Sequence, residues 1–94
     1  MYGNKKWHYL QNISKPYALD ILDALLRRPM RFSELRKICL SQKTLTVRLR
    51  ELEELDAISK VIENQKGKKI KVHYALTRKG KETIETTLNL ATVN

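Results

Sequence analysis

Residues 41–80 read SQKTLTVRLRELEELDAISKVIENQKGKKIKVHYALTRKG, and this stretch decides the fold because its hydrophobic periodicity changes partway along. Ser41 is placed to cap a helix in which Leu45, Leu49 and Leu52 recur at helical spacing, so these leucines form a buried stripe. Further on, apolar residues take every second position, at Ile70, Val72, Tyr74 and Leu76. That alternation is typical of a half-buried strand, so the stretch predicts a helix followed by β-structure.

The helix after Ser41 carries a polar face opposite its leucine stripe. At about 100° per residue, the outward positions are Lys43, Val47, Arg50 and Glu54, with Thr46 beside them. Arg48 lies at the edge of the stripe, where its side chain could as easily lie along the protein as reach a ligand. Four acids crowd the far end of the helix and the turn after it: Glu51, Glu53, Glu54 and Asp56. The basic part of the outward face is therefore its N-terminal half.

The alternating strand has a partner in Ile58 to Glu63, and the two are predicted to form an antiparallel hairpin. Their connection, residues 64–69, contains the asparagine and glycine expected at a hairpin tip. His73 falls on the polar side of its strand, which is typical of a solvated surface residue. Thr77 is placed to cap a final helix.

The N-terminal half supplies the remaining helices. Three apolar residues recur there at three-residue spacing: Trp7, Leu10 and Ile13. Pro16 suits the first turn of a longer helix that ends at Pro29, and Ser33 is placed to cap a short helix after it. The prediction is one domain with these parts: an N-terminal arm or helix (1–15), a first helix (16–28), a helix-turn-helix (33–55), a hairpin (58–76) and a C-terminal helix (77–91).

The charge of the chain points to a polyanionic partner. Lys and Arg number 19 against 10 Asp and Glu, a net charge of +9 that exceeds what solubility requires. Nucleic acid fits this excess best, ahead of an acidic membrane surface. The length of 94 residues suits one small domain and leaves little room for a large active-site cleft.

Several classes of protein are disfavoured. One cysteine, Cys39, cannot form an intrachain disulfide, and with two histidines the chain has too few ligands for a structural zinc site. Cys39 is interpreted as a small buried hydrophobe, since no motif activates its thiol. No catalytic constellation or phosphate-binding glycine loop is present, so we expect no enzyme and no cofactor. No apolar run approaches the about 20 residues of a membrane span, and a cytoplasmic location is expected.

The predicted element order is helix, helix, helix, hairpin, helix. Its fold class is mainly α with a small antiparallel β-hairpin, the arrangement of a winged helix-turn-helix. The second helix of that motif fits the roughly 12 Å wide major groove of B-DNA. The sequence therefore predicts a transcriptional regulator that binds double-stranded DNA sequence-specifically.

The chain also resembles a known family at the level of its motifs. Arg31-Phe32-Ser33-Glu34-Leu35-Arg36, Ser41-x-Lys43-x-Leu45-Thr46, Leu49-x-Glu51-Leu52-Glu53 and Tyr74-x-Leu76-Thr77-x-x-Gly80 are similar to the HxlR-type regulators, relatives of the MarR regulators. Asp56 stands where such families usually have a glycine, and it tolerates the left-handed conformation better than most residues. Some relatives sense oxidants through a cysteine before the first helix, a position that Cys39 does not occupy.

Candidate DNA contacts fall into two groups. The start of the helix at Ser41 is expected to hold a phosphate, because helix N-termini favour anions, and the residues after it would face base edges. The hairpin would anchor the phosphate backbone or enter the minor groove, since residues 60–81 carry eight Lys and Arg and one acid. The candidates are Arg31, Ser41, Gln42, Lys43, Thr44, Thr46, Val47, Arg50, Lys66, Lys68, Lys69 and Lys71.

A homodimer is expected from the family resemblance and from apolar residues left over at both ends of the chain: Trp7, Leu10, Ile84, Leu88 and Ala91. Two-fold symmetry would place the two DNA-reading helices about 34 Å apart, or a multiple of that. Two other functions stay open. The acidic end of the helix could make the domain a protein-interaction module, and the basic charge could serve nonspecific nucleic-acid binding. A small-molecule effector is possible.

Overall fold

The computed structural model describes residues 5–63, 67 and 70–92. Within these ranges it has five helices and two strands: α1 (Lys5–Ile13), α2 (Ala18–Arg27), α3 (Phe32–Leu35), α4 (Gln42–Glu54), β1 (Ile58–Glu63), β2 (Lys71–Leu76) and α5 (Arg78–Thr92). The predicted fold class, mainly α with one antiparallel β-hairpin, is confirmed.

The core lies between α2, α4 and α5 and is closed by the base of the hairpin. The stripe of α4 is buried as predicted, with Leu45, Leu49 and Leu52 at most 2% exposed. They pack in one cluster with Ile21 and Leu22 of α2. Each such side chain contributes about 1.5–3 kcal/mol by leaving water, so this cluster determines how α4 sits on the rest of the protein.

Both ends of α4 are formed by local signals in the sequence. At its start the Thr44 N–H donates to Ser41 Oγ over 3.2 Å, the predicted cap. At its end Asp56 adopts a φ of 61°. The Ala57 N–H donates to the Leu52 carbonyl and the Asp56 N–H to the Glu53 carbonyl, both at 3.0 Å. This is a Schellman motif in which aspartate takes the place usually filled by glycine.

Two predicted helix starts were wrong. The helix expected from Pro16 begins at Ala18, because Tyr17 takes a φ of 71° that no right-handed helix accommodates. Ser33 does not cap α3, which begins one residue earlier at Phe32. The Arg31 N–H instead donates to Glu34 Oε1 over 3.1 Å, so a carboxylate inside the helix supplies the cap.

The hairpin of residues 58–76, which we call the wing, pairs in the predicted antiparallel register, with Ile58 opposite Leu76 and Glu63 opposite Lys71. Met30 forms an isolated β-bridge with Tyr74. The Met30 N–H donates to the Tyr74 carbonyl over 3.0 Å, and the Met30 carbonyl accepts from the Tyr74 N–H over 2.7 Å. Burial is confined to the base, at Ile58 and Tyr74, whereas Ile70 is exposed. The predicted burial of one face of the strand is therefore confirmed only at the base of the hairpin, where helices cover it.

The Leu-Thr-x-x-Gly turn joins the wing to α5. Thr77 Oγ accepts from the Gly80 N–H over 3.0 Å and donates to the Asp56 carbonyl over 2.5 Å. It thus caps α5, as predicted, and also ties that helix to the end of α4. A Cβ on Gly80 would lie 1.9 Å from the Ala57 carbonyl oxygen, so this contact requires glycine.

Candidate nucleic-acid interface

One face of α4 presents polar and basic side chains to solvent. The structure places five of the predicted contacts there together, each exposed: Gln42, Lys43, Thr46, Val47 and Arg50. Their spacing puts Lys43, Val47 and Arg50 on the side of the helix opposite the buried leucines, with Thr46 and Gln42 toward one edge of that face. Thr46 Oγ1 donates to the Gln42 carbonyl over 2.8 Å, which holds its side chain in one orientation. An α-helix with its side chains is about 10–12 Å across, which is close to the roughly 12 Å width of the major groove of B-DNA.

The first turn of α4 is partly occupied by its own cap. Ser41 Oγ accepts from the Thr44 N–H, so that amide is used, whereas the Ser41 O–H remains a donor for a phosphate. By helix geometry the N–H groups of Gln42 and Lys43 have no partner within the helix. We therefore expect these two amides, the Lys43 ammonium and the Ser41 O–H, rather than the Thr44 N–H, to bind a phosphate.

Arg48 is turned toward the protein, which resolves the alternative that the sequence left open. Its Nε donates to the Pro16 carbonyl over 2.8 Å, and its Nη1 lies 2.9 Å from Glu51 Oε1. Lys15 pairs with the other oxygen of the same carboxylate. This cluster of Lys15, Arg48 and Glu51 fixes α4 against the turn before α2 and compensates one acid close to the basic face.

The same cluster has a pH signature. The Lys15 ammonium lowers the pKa of Glu51 below its usual value; burial opposes that shift and Arg48 adds to it. A carboxyl with a lowered folded-state pKa stabilises the fold above its unfolded pKa, about 4.3, and loses this contribution as pH falls through the folded value. Glu51→Gln is therefore expected to cost about 1–2 kcal/mol at pH 7 and to flatten the loss of stability below pH 5.

Urea unfolding of Glu51→Gln at pH 7, 5, 4 and 3 measures this effect. Glu85→Gln serves as the control, because Glu85 is an exposed glutamate on α5. An unaltered acid slope in Glu51→Gln, or an equal change in Glu85→Gln, would contradict a specific role for the cluster.

The remaining acids near the interface differ in their surroundings. Glu53 Oε1 lies 4.0 Å from Lys60 Nζ of the wing, whereas Glu54 and Asp56 are exposed. Near α3, Glu34 pairs with Arg28 over 2.5 Å and accepts from the Arg31 N–H. These bonds lower the pKa of Glu34 to about 2, mainly through the Arg28 guanidinium. The Arg31 side chain is exposed beside this pair.

Basic residues of the wing fall partly within the described residues. Lys71 is half-buried on β2, and Lys60 Nζ lies 5.8 Å from the centre of the Tyr74 ring. The predicted contacts Lys66, Lys68 and Lys69 lie outside the described residues. His73 departs from the solvated position expected of it: it is half-buried, and its Nδ1 is buried without a hydrogen-bond partner in the described part of the chain.

A second surface lies where α1, near the N-terminus, meets α5, near the C-terminus. Tyr9 Oη and Thr83 Oγ1 are 2.5 Å apart, and Lys79 Nζ lies 4.4 Å above the Tyr9 ring. Beside these contacts runs an open groove of about 390 Å³, which we call the α1–α5 groove, lined among others by Leu10, Thr87 and Leu90. Leu10 and Leu90, which line it, are exposed, and the same two helices also expose Trp7 and Leu88.

The sequence-based list for this second surface needs two changes. Ile84 is 2% exposed and packs in the core of its own chain, so it is not available to a partner subunit. Ile84 and Leu88 are four residues apart on one stripe, but only Ile84 belongs to the buried core. Leu90, which is 71% exposed and lines the groove, lies off the stripe of Leu88 and Ala91, so the helical period does not predict it as part of this surface.

Cys39 is buried completely, which confirms its interpretation as a small hydrophobe. Its Sγ lies 3.7 Å from the Ser41 carbonyl, just before the first turn of α4. Among the described residues, no group of three His, Cys, Asp or Glu side chains is arranged to hold a metal ion. No helix in those ranges is long and apolar enough to cross a membrane.

A capped helix with a basic exposed face, packed on a helical core and followed by a short antiparallel wing, defines a winged helix-turn-helix protein of the DNA-binding class. The family model for HxlR-like helix-turn-helix proteins matches residues 12–93. The chain belongs to this family of transcriptional regulators. No protein with a curated function matches it in sequence.

Solved structures of the same fold come from several bacteria. A transcriptional regulator of the MarR family from Enterococcus faecalis is 26% identical with a TM-score of 0.79, covering 97% of this chain and 86% of that one. The reduced form of the regulator YodB from B. subtilis is 27% identical with a TM-score of 0.81, covering 97% and 89%. HlyU from Vibrio cholerae is 27% identical with a TM-score of 0.73, covering 92% and 90%.

Proposed function

We propose that the protein is a sequence-specific regulator that inserts α4 into the major groove of double-stranded DNA. The observation that carries this proposal is the clustering of Gln42, Lys43 and Arg50 on one exposed face, held in place by the buried leucines behind them. Arg48 is not part of the reading surface, because its guanidinium is bound to Pro16 and Glu51.

Each side chain on this face suits a particular base edge. Gln42 can pair with adenine, Lys43 and Arg50 with guanine O6 and N7, and the methyl groups of Thr46 and Val47 with the thymine methyl. The exposed acids Glu54 and Asp56 limit insertion to the first half of the helix, since phosphates would repel them. The wing, with Lys71 and the lysines of its tip, is proposed to bind the phosphate backbone or minor groove beside α4.

Arg50→Ala is expected to reduce the ratio of specific to random-sequence affinity about 10- to 100-fold, because it removes one bidentate base contact. Arg50→Lys retains the charge and should preserve affinity for random DNA while losing part of the specificity. Lys81→Ala, which removes one charge from an exposed position on α5, is the matched control. Competition binding with cognate and scrambled duplexes measures the ratio. An unchanged ratio in Arg50→Ala would contradict base readout by this residue.

Selection of bound fragments from a random DNA pool tests the proposal as a whole. Enrichment of one motif is expected, and two half-sites about 10 base pairs apart would also report a two-fold dimer. No enrichment despite tight binding would leave only a nonspecific nucleic-acid-binding protein. Absence of binding would instead favour the interaction-module alternative, with the acidic end of α4 as the docking surface.

The homodimer is proposed to form through the α1–α5 groove. Leu10 and Leu90, which line it, are 51% and 71% exposed, and neighbouring exposed apolar side chains are typical of an interaction surface. Sedimentation at micromolar concentration should give a mass of two chains, and Leu10→Asp with Leu90→Asp should give one. A wild-type monomer under those conditions would contradict the dimer. A small-molecule effector and a cytoplasmic location stay predictions.

A further inference from the structure

One edge of α4 is bonded to the turn that joins α1 to α2. By helix geometry Arg48 and Glu51 lie along the edge of the exposed face of α4, beside Val47. The Arg48 side chain is only 16% exposed. Its Nε donates to the Pro16 carbonyl over 2.8 Å and its Nη1 to Glu51 Oε1 over 2.9 Å, while Lys15 pairs with the second oxygen of that carboxylate. We call Lys15, Pro16, Arg48 and Glu51 the α4 clamp.

The backbone before α2 directs the Pro16 carbonyl toward Arg48. Tyr17, the next residue, has a φ of 71° and a ψ of −10°, a left-handed conformation that residues other than glycine rarely adopt. The φ of Tyr17 orients the peptide group that contains the Pro16 carbonyl relative to α2. Such a conformation persists only where surrounding contacts determine it, and the bond from Arg48 is one of them. The turn and α4 therefore hold each other in place.

The α4 clamp supplies directional contacts, which the buried leucines of α4 do not. Apolar packing holds the helix on the core but is non-directional, whereas hydrogen bonds restrict both distance and angle. Because a helix with its side chains has a radius of about 5–6 Å, a rotation of about 10° moves the side-chain ends by about 1 Å. Binding groups must stay within about 0.5 Å of their productive positions, whereas attraction to a phosphate falls off slowly with distance. A rotation of α4 would therefore impair base readout more than overall affinity.

We propose that Arg48 and Glu51 are positioning residues that set the rotation of α4 in the major groove and so determine how well it discriminates between DNA sequences, although neither contacts DNA. This inference rests on the proposed function of α4. The fork-shaped guanidinium of Arg48 reaches the Pro16 carbonyl and the Glu51 carboxylate at once. A lysine at this position would keep the charge but not that geometry.

The experiment measures the affinity of the full chain for a cognate duplex, obtained by selection from a random pool, and for a scrambled duplex. Arg48→Lys keeps the charge of the side chain, and Glu51→Gln keeps its shape. Each should lower the ratio of cognate to scrambled affinity about five- to twentyfold, because the base contacts of α4 become misaligned. In Arg48→Lys the affinity for the scrambled duplex should change by less than about twofold, since the charge and the phosphate contacts are retained.

A loss of stability cannot imitate this result. A larger unfolded fraction lowers the affinity for both duplexes by the same factor, so the ratio of the two affinities is independent of stability. Ile84→Val is the matched control, because it removes a methyl group from a buried position on α5 and leaves the α4 clamp intact. It should destabilise the fold without changing the ratio.

The double variant Arg48→Lys with Glu51→Gln should lower the ratio no further than the more severe single variant, because the two residues act as one unit. Three results would overturn the positioning role while leaving α4 as the DNA-binding helix. These are an unchanged ratio in both single variants, an equal fall of the ratio in Ile84→Val, or losses that multiply in the double variant. If selection yields no motif that the wild-type chain prefers, the proposed sequence-specific function fails, and the positioning role fails with it.

Discussion

Raising the salt concentration from 50 to 200 mM is expected to weaken DNA binding by about 10³- to 10⁵-fold. This range applies if a dimer neutralises about 6 to 10 phosphates, because each neutralised phosphate releases counterions on binding. The ammonium groups of Lys43, Lys71 and the three lysines of the wing tip would supply such contacts twice over in a dimer. Fluorescence anisotropy with a labelled duplex measures the slope of log affinity against log salt.

The triple variant Lys66→Gln, Lys68→Gln and Lys69→Gln tests whether the salt dependence of DNA binding comes from the wing lysines or from the net charge of the chain. If each of the three lysines binds a phosphate, the slope should fall by about 0.9 per contact. The matched control removes three charges elsewhere, with Lys5→Gln, Lys6→Gln and Lys81→Gln, all at exposed positions on α1 and α5. Equal flattening in both triple variants would show that net charge alone, and not the wing, accounts for the salt dependence.

Gly80→Ala is expected to destabilise the fold by about 3 kcal/mol, as overpacking does in a closely packed site. The added methyl group would overlap the Ala57 carbonyl oxygen, which also accepts from the Thr77 N–H over 3.1 Å. In a free helix alanine would be about 1 kcal/mol better than glycine, so the packing term opposes and exceeds the propensity. The fall in melting temperature should be about 10–20 °C, measured by circular dichroism.

Two controls make the interpretation of Gly80→Ala specific. Lys81→Ala changes an exposed neighbour on the same helix and should alter stability by less than about 0.5 kcal/mol. Gly67→Ala adds a methyl group in open space at a φ of 71°, so it should cost only the backbone strain of about 1–2 kcal/mol. A neutral or stabilising Gly80→Ala would mean that the end of α4 can move away from α5 at little cost.

Much of the fold could be predicted because its signals are local. The leucine spacing of α4, the cap at Ser41, the turn at Asp56 and the limits of the wing depend on neighbours a few residues away, and each is found as expected. Helix starts were less predictable. Tyr17 takes a left-handed conformation that tyrosine rarely adopts, so its residue type does not predict it. The cap of α3 comes from Glu34 and not from Ser33.

The candidate site was predictable in its composition and less so in its partners. Which residues face outward on α4 follows from the helical period alone. Whether the Arg48 side chain can reach DNA does not follow from the helical period. Its partners are Pro16, in a turn 32 residues earlier, and Glu51, in the next helical turn. Likewise Ile84 and Leu88 share one stripe in sequence, and only packing against α2 separates the buried one from the exposed one.

By itself the sequence determined the class of protein: a positively charged winged helix-turn-helix with five of its 19 basic residues in the wing. Periodicity, caps and turns depend on residues a few positions apart, so they can be predicted without the tertiary structure. The tertiary structure alone decided which side chains remain free to bind. Arg48 is bound to Pro16 and Ile84 is buried in the core, whereas Ile62, Ile70 and Leu90 are exposed. The reason is that burial of a side chain depends on which elements, distant in sequence, pack over it.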